Sequence, residues 1–261
     1  MARLSLAQIE QYQLKGYLFI ENYFSSEEMD LLLEIARADE QLAADAIERY
    51  DVEARISRLS LRTYLSDDIY SALVRCKRLV EPMEQLIGGE VFHYHHKMML
   101  KEPHVGGAWE WHQDYGYWYK NFLRADMASC MIAVDQASKE NGCLQVLKGS
   151  HLFDRIEHGM RGNQTGADPQ RVDLIKQHLE TVYCEMEPGT ALFFHCNLLH
   201  RSDPNDSPLP RWSLICCYSA ANNPTFNADG AGQYEPLEIG DDDSILKYRK
   251  DRVGDRGLDR K

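Results

Sequence analysis

The chain has 261 residues, 44% of them hydrophobic, which is enough to bury a core and argues against intrinsic disorder. Lys and Arg total 29 against 41 Asp and Glu, a formal net charge of -12, so the balance disfavours a nucleic-acid binder and polyanionic substrates. There is no apolar run of about 18 residues and no apolar signal core at the start, and the seven cysteines show no framework spacing, so no membrane span and a cytoplasmic setting with reduced thiols are expected.

Residues 5–15 read as a helix capped by Ser5, with Leu6, Ile9 and Tyr12 on one face. Tyr17–Ile20 reads as a short strand. Ser25 and Glu28 form a capping box ahead of Met29, Leu32, Leu33 and Ala36 at helical spacing. Residues 67–87 are again amphipathic, with Pro82 expected to bend or interrupt the helix and Gly88-Gly89 to end it. From residue 90 the period changes. Val91–Leu100, Ala128–Val134, Cys143–Leu147, Thr181–Glu185, Thr190–His195 and Arg211–Ser219 are strand candidates separated by turn residues. Residues 152–180 read as a long loop, a candidate substrate lid. The tail 221–261, mostly charged beyond Gly240, reads as a loose surface segment with a helical turn near Ile245–Tyr248. Helices followed by many short strands predict an α+β fold with a mainly β core, a sandwich or open barrel.

The most informative stretch is Trp109–Trp118, which contains His112 and Asp114. On a strand, residues two apart face the same way, so an imidazole and a carboxylate can meet one metal ion. His-X-Asp alone is common by chance. The stretch Thr190–His200 supplies two further histidines, His195 and His200, and His200 sits at a strand end or turn, where a site is easily exposed. Two histidines and one carboxylate make a facial triad that leaves adjacent positions open on non-haem Fe(II). Arg211 follows His200 across a turn containing Pro204, Pro208 and Pro210. If that turn folds back, Arg211 opens an antiparallel partner strand and returns to the site, where its guanidinium suits the far carboxylate of a co-substrate such as 2-oxoglutarate.

With these pieces in place the sequence resembles the phytanoyl-CoA dioxygenase superfamily of Fe(II)/2-oxoglutarate oxygenases, over about residues 8–225. The matching segments are Gly16–Ile20, Trp111–Asp114, Glu140–His151, Pro188–Thr190, Phe193–His195, and His200 with Arg211. The resemblance implies a double-stranded β-helix (a cupin-like jelly roll) in a single domain over 1–261, with a helical N-terminal region over residues 1–88, a core over 89–220 and the tail. It implies His112, Asp114 and His200 as iron ligands and catalytic centre, with Fe(II), 2-oxoglutarate and O2 as cofactor and co-substrates. It implies Arg211 for 2-oxoglutarate, with Met99, Lys97, Ser129, Met131, Ser202 and Ser213 as further contacts.

Tyr115 and Trp118 follow Asp114 directly, and with His104 they are the substrate-pocket candidates. Trp109, Trp111 and Tyr117 read as core or pocket wall. His93, His95 and His96 read as strand residues, His195 as support for the site, and His151 as a structural turn residue. The implied activity is hydroxylation of a small metabolite (amino acid, amine or carboxylate), coupled to decarboxylation of 2-oxoglutarate to succinate. Asp114 stands where related halogenases carry a small residue, which disfavours halogenation. Desaturation, cyclisation or epimerisation at the same iron site, an acyl-CoA hydroxylase and a jelly-roll binding module are the alternatives. The negative charge lowers the acyl-CoA reading relative to a small uncharged or cationic substrate. Oligomeric state is not legible.

Overall fold

The computed structural model describes residues 3–225 and 234–255, the side chains of 250–255 excepted. The first half of the chain forms α1 (Leu6–Lys15), β1 (Tyr17–Ile20), α2 (Ser26–Ala38), α3 (Glu40–Ala44), β2 (Ile47–Tyr50), β3 (Ile56–Arg62), α4 (Ile69–Arg75), α5 (Lys77–Ile87) and β4 (Val91–Lys101). The second half forms β5 (Trp109–His112), α6 (Asp114–Trp118), β6 (Met127–Ala133), β7 (Leu144–Leu147), β8 (His158–Arg161), β9 (Gln164–Ala167), α7 (Pro169–Lys176), β10 (Thr181–Cys184), β11 (Ala191–His195), β12 (His200–Ser202), β13 (Arg211–Ala220) and α8 (Ser244–Asp255). A seven-stranded sheet in the order β1-β11-β6-β13-β4-β3-β2 faces a four-stranded sheet, β10-β7-β12-β5, with all these pairs antiparallel. This is the expected jelly roll with helices on its outside.

The large sheet is covered on both faces, and the period of two sorts its side chains. Cys130, Ile132, Phe193, Leu214 and Cys216 face the helices, packing with Leu32, Leu73, Leu79 and Met83. Met131, Leu192, Phe194, Ile215 and Cys217 face the small sheet, packing with Val146 and Leu144. Double coverage explains why these strands read as continuous apolar runs. On β13 the inward set also carries Arg211 and Ser213.

Four elements differ from the sequence reading. Residues 39–66, to which no element is assigned above, contain the β2–β3 hairpin, which extends the large sheet beyond β4. Residues 152–180 are not a plain loop: they hold the β8–β9 hairpin and α7. The tail is not loose where it is described, because Ile245 is fully buried in the helix-side core and the Tyr248 hydroxyl donates to Asp67, 2.8 Å away. Residues 256–261 lie outside the described chain.

The fourth difference concerns Pro82. The break in the 67–87 helix falls at Cys76, whose backbone is extended (φ -63, ψ 139), and Pro82 sits inside α5. A proline inside a helix leaves the carbonyl four residues earlier without its donor. Here that carbonyl belongs to Arg78, and the Tyr23 hydroxyl donates to it. Tyr23→Phe is therefore expected to destabilise the fold by about 1–3 kcal/mol in urea denaturation, the cost of an orphaned acceptor. Adding Pro82→Ala to that variant should recover some of the loss, because residue 82 regains an N–H.

Candidate active site

β5 and β12 are neighbours in the small sheet, and His112 stands directly opposite His200 with ring centroids 4.1 Å apart. Gln113 remains extended (φ -113, ψ 139), which keeps Asp114 on the same side as His112. Asp114 is the first residue of α6 rather than a strand residue, so the carboxylate comes from a helical turn. Ligand atoms of His112, Asp114 and His200 all lie within 4.8 Å of one another, and all three residues are buried.

The local bonding fixes how each group presents itself. His112 Nδ1 pairs with the Glu110 carbonyl at 2.6 Å and His200 Nδ1 with the Leu198 carbonyl at 2.9 Å, so both Nδ1 atoms donate and both Nε2 lone pairs are left free. Burial lowers both pKa values, that of His112 to well below its ordinary range, aided by His200 beside it. The imidazoles are therefore neutral. Asp114 Oδ1 lies 3.9 Å from His200 Nε2, while its Oδ2 accepts a 2.9 Å hydrogen bond from the fully buried Ser129. Two neutral imidazoles and a carboxylate, each oriented from behind, fit an Fe(II) ion.

Arg211 reaches the same space from the opposite sheet. The turn 203–210 does fold the chain back, but it crosses between sheets: β12 pairs with β5 and β7, whereas β13 pairs with β4 and β6. Arg211 is 2% exposed, and its Nε and Nη1 are buried with no hydrogen-bond partner among the described residues. Burial lowers its pKa to about 10. Ser213 Oγ, on the same strand face, is also buried and unpartnered. Buried donors without an acceptor are costly, so the arrangement calls for an anion. A cavity of about 400 Å³ is lined by all three triad residues and by Arg211, Lys97, Met99 and Met131.

A sequence profile of the phytanoyl-CoA dioxygenase (PhyH) family matches residues 12–213. The chain belongs to this family. It is an Fe(II)- and 2-oxoglutarate-dependent dioxygenase, with the His-Asp-His donor set in place. The chain is 27% identical over 236 residues to an ectoine dioxygenase from Bordetella parapertussis, covering 84% of this chain and 77% of that protein. It is 30% identical over 174 residues to the L-proline trans-4-hydroxylase of Streptomyces griseoviridis, covering 60% and 65%. Its fold matches the structure of EctD from S. alaskensis with bound Fe, with a TM-score of 0.77 at 22% identity, covering 91% and 88% of the two chains.

Among the other family residues read from the sequence, the structure makes several corrections. Trp118 lines the cavity, but Tyr115 is turned away, its hydroxyl donating to the Phe122 carbonyl at 3.1 Å. The segment after Asp114 is a helical turn, so residues three and four onward share its face, Tyr117 and Trp118, and residue 115 does not. His104 is exposed, its ring nitrogen bonded to the Asp206 carbonyl, and it does not line the cavity. Ser129 is expected at the co-substrate, yet its hydroxyl is spent on Asp114 and on Cys217 at 3.3 Å. Ser202 lines the cavity while accepting a 2.9 Å bond from the buried Lys101.

The histidines outside the triad also find their places. His93 and His96 bond each other at 3.0 Å, His195 Nδ1 accepts from the Asn197 N–H, and His151 pairs with the Gln13 carbonyl. His95, read only as a strand residue, lines the cavity with its Nε2 buried and without a partner among the described residues. The alternation His95, Lys97, Met99 along β4 carries that signal.

Two hairpins complete the walls. Arg49 comes from β2, and Met160, Asn163, Gln164 and Thr165 come from the β8–β9 hairpin. Their tips are tied: the Tyr50 N–H donates to Asn163 Oδ1 at 2.5 Å and the Asn163 N–H to the Tyr50 carbonyl at 3.2 Å. Gly162 makes the turn with φ +60 close against the Tyr50 and Asp51 carbonyls. On the other side, His158 fills the space a side chain at Gly116 would need, 2.2 Å from the position of a Cβ.

Proposed function

We propose that this dioxygenase hydroxylates a small organic metabolite, acting as one catalytic domain in the cytoplasm. The single observation that carries the reading is the buried Arg211, which lines the same cavity as the His-Asp-His set and has two guanidinium nitrogens without a partner among the described residues. One end of 2-oxoglutarate belongs at the triad and its far carboxylate at Arg211, with Ser213 as a further donor.

The residues divide the work as follows. His112, Asp114 and His200 hold the ion. Ser129 fixes Asp114 Oδ2 and so keeps Oδ1 turned to the two imidazoles. Tyr117, Trp118 and Trp109 wall the cavity and exclude water from the reacting centre. A bound Fe(II) supplies O2 activation coupled to decarboxylation of 2-oxoglutarate to succinate and CO2. Placement of the substrate then decides which C–H is oxidised.

The test is turnover with Fe(II), 2-oxoglutarate, O2 and a panel of amino acids, amines and carboxylates, with products read by mass spectrometry. A product gaining one oxygen atom is expected. A product losing two hydrogens would replace hydroxylation with desaturation.

A further inference from the structure

The charges lining the cavity do not balance. Arg49, Lys97, Lys120 and Arg211 are cationic, and Asp114 is the one acid among the described residues that line it. An Fe(II) ion, Asp114, 2-oxoglutarate and Arg211 together sum to zero formal charge. That leaves Arg49, Lys97 and Lys120 uncompensated. Lys97 Nζ has Asp114 Oδ1 at 4.0 Å and is 18% exposed, so once the ion takes that carboxylate a poorly hydrated ammonium remains beside the site. Arg49 and Lys120 form no ion pair among the described residues. Arg49 donates only to the backbone carbonyl of Glu48, at 3.2 Å.

The neutral polar groups point the same way. The indole Nε1 of Trp109 is buried with no partner among the described residues, and an indole nitrogen can only donate. His95 adds a ring nitrogen in the same condition. Leu59, Leu61, Met131 and Ile215 add apolar wall, and Asn163, Gln164, Thr165 and Ser202 are its uncharged polar members. Cation and hydrocarbon stand side by side, since Lys97 is opposite Leu61 on β3 and Ile215 on β13, and an unpaired cation in such a place repels a cationic substrate and rewards an anion.

The geometry points to a small organic anion, with a carboxylate or similar oxyanion group held by Lys97 and Arg49 and an apolar body against Leu59, Leu61 and Ile215, as the substrate class of this enzyme. The inference rests on the Fe(II)/2-oxoglutarate reading. It reverses what the net charge of -12 suggested, because that charge lies elsewhere on the chain and the cavity is locally basic.

The experiment uses the full chain with Fe(II) and 2-oxoglutarate under anaerobic conditions. The first readout is the charge-transfer absorption of the ternary complex. Hexanoate and 3-phenylpropanoate are then titrated against their primary amides and primary amines, following the perturbation of that band. At least one carboxylate should bind about tenfold or more tightly than its amide, and the amines should bind worst. In Arg49→Leu and in Lys97→Met the preference should collapse, while hydrogen-bonding variants Arg49→Lys and Lys97→Arg restore some of it. Equal binding of acids and amides, a preference for amines, or a preference untouched by both substitutions overturns the inference. A Lys97→Met variant that loses 2-oxoglutarate instead also overturns it, assigning that lysine to the co-substrate. If the band never forms, the oxygenase reading fails first and this one falls with it.

Discussion

Arg211→Gln is expected to abolish tight 2-oxoglutarate binding while leaving the fold at least as stable as before. Truncating one partner of a buried charge pair costs about 2–5 kcal/mol, or roughly 30-fold to several thousand-fold in affinity. The opposite effect on stability follows from the same observation. Without co-substrate, Arg211 is a buried cation with two unpartnered nitrogens, and burial already pulls its pKa down to about 10. Replacing such a charge with a neutral group is often neutral or stabilising. Thermal unfolding without ligand and anaerobic titration with 2-oxoglutarate read the two effects separately. Arg211→Lys should recover little affinity, because an ammonium cannot form the two-pronged contact of a guanidinium. A destabilised Arg211→Gln that still binds 2-oxoglutarate would mean that the guanidinium serves packing.

His112→Ala is expected to remove Fe(II) binding with the secondary structure unchanged. His112 is the last residue of β5, the edge strand of the small sheet, and its ring bonds only to the Glu110 carbonyl two residues away. Its loss takes away one of three metal donors and the ring's contacts with Trp109, Tyr117 and His200, but no hydrogen bond to another element among the described residues. The effect should exceed that of Ser129→Ala, which leaves the donor set whole and only frees Asp114 Oδ2. Partners of that kind typically carry about 10–100-fold in metal affinity. Metal content after anaerobic loading, with circular dichroism as the fold control, separates the cases. Unchanged iron affinity in His112→Ala would overturn the triad.

The donor set was legible because metal chemistry restricts residue type and spacing together. Alternation places His112 and Asp114 on one side across the extended Gln113, even though Asp114 turns out to open a helix. Arg211 was legible as a strand-opening cation after a proline-rich turn, but its sheet was not. Whether β13 pairs with β12 or crosses to the facing sheet depends on contacts with β4 and β6, far away in sequence. The pocket wall was harder still. Tyr115 and Tyr117 differ only in whether the backbone after Asp114 is a loop or a helical turn, and that choice depends on His158 packing against Gly116. The β8–β9 hairpin reads as a loop because Gly159, Gly162 and Gly166 punctuate it and Arg161 breaks the apolar alternation, and the β2–β3 hairpin offers no alternation to read because Glu48, Arg49 and Arg58 interrupt it. These are polar strands at or beyond the sheet edge, held by pairing and by the Tyr50–Asn163 clasp. Their polarity is what brings charge to the cavity, so the elements least visible in sequence bear most on substrate choice. Pro82 misled for a similar reason: its local rule is overridden by a hydroxyl 59 positions earlier, at Tyr23.

Succinate formation by the Fe(II)-loaded protein, supplied with 2-oxoglutarate and O2, first with no organic substrate and then with the metabolite panel, tests whether the triad and Arg211 work as one oxygenase site. Slow uncoupled succinate release is expected, rising with a matching substrate and disappearing in both His112→Ala and Arg211→Gln. No succinate under any of these conditions, or succinate from either variant at the level of the unsubstituted protein, would contradict it.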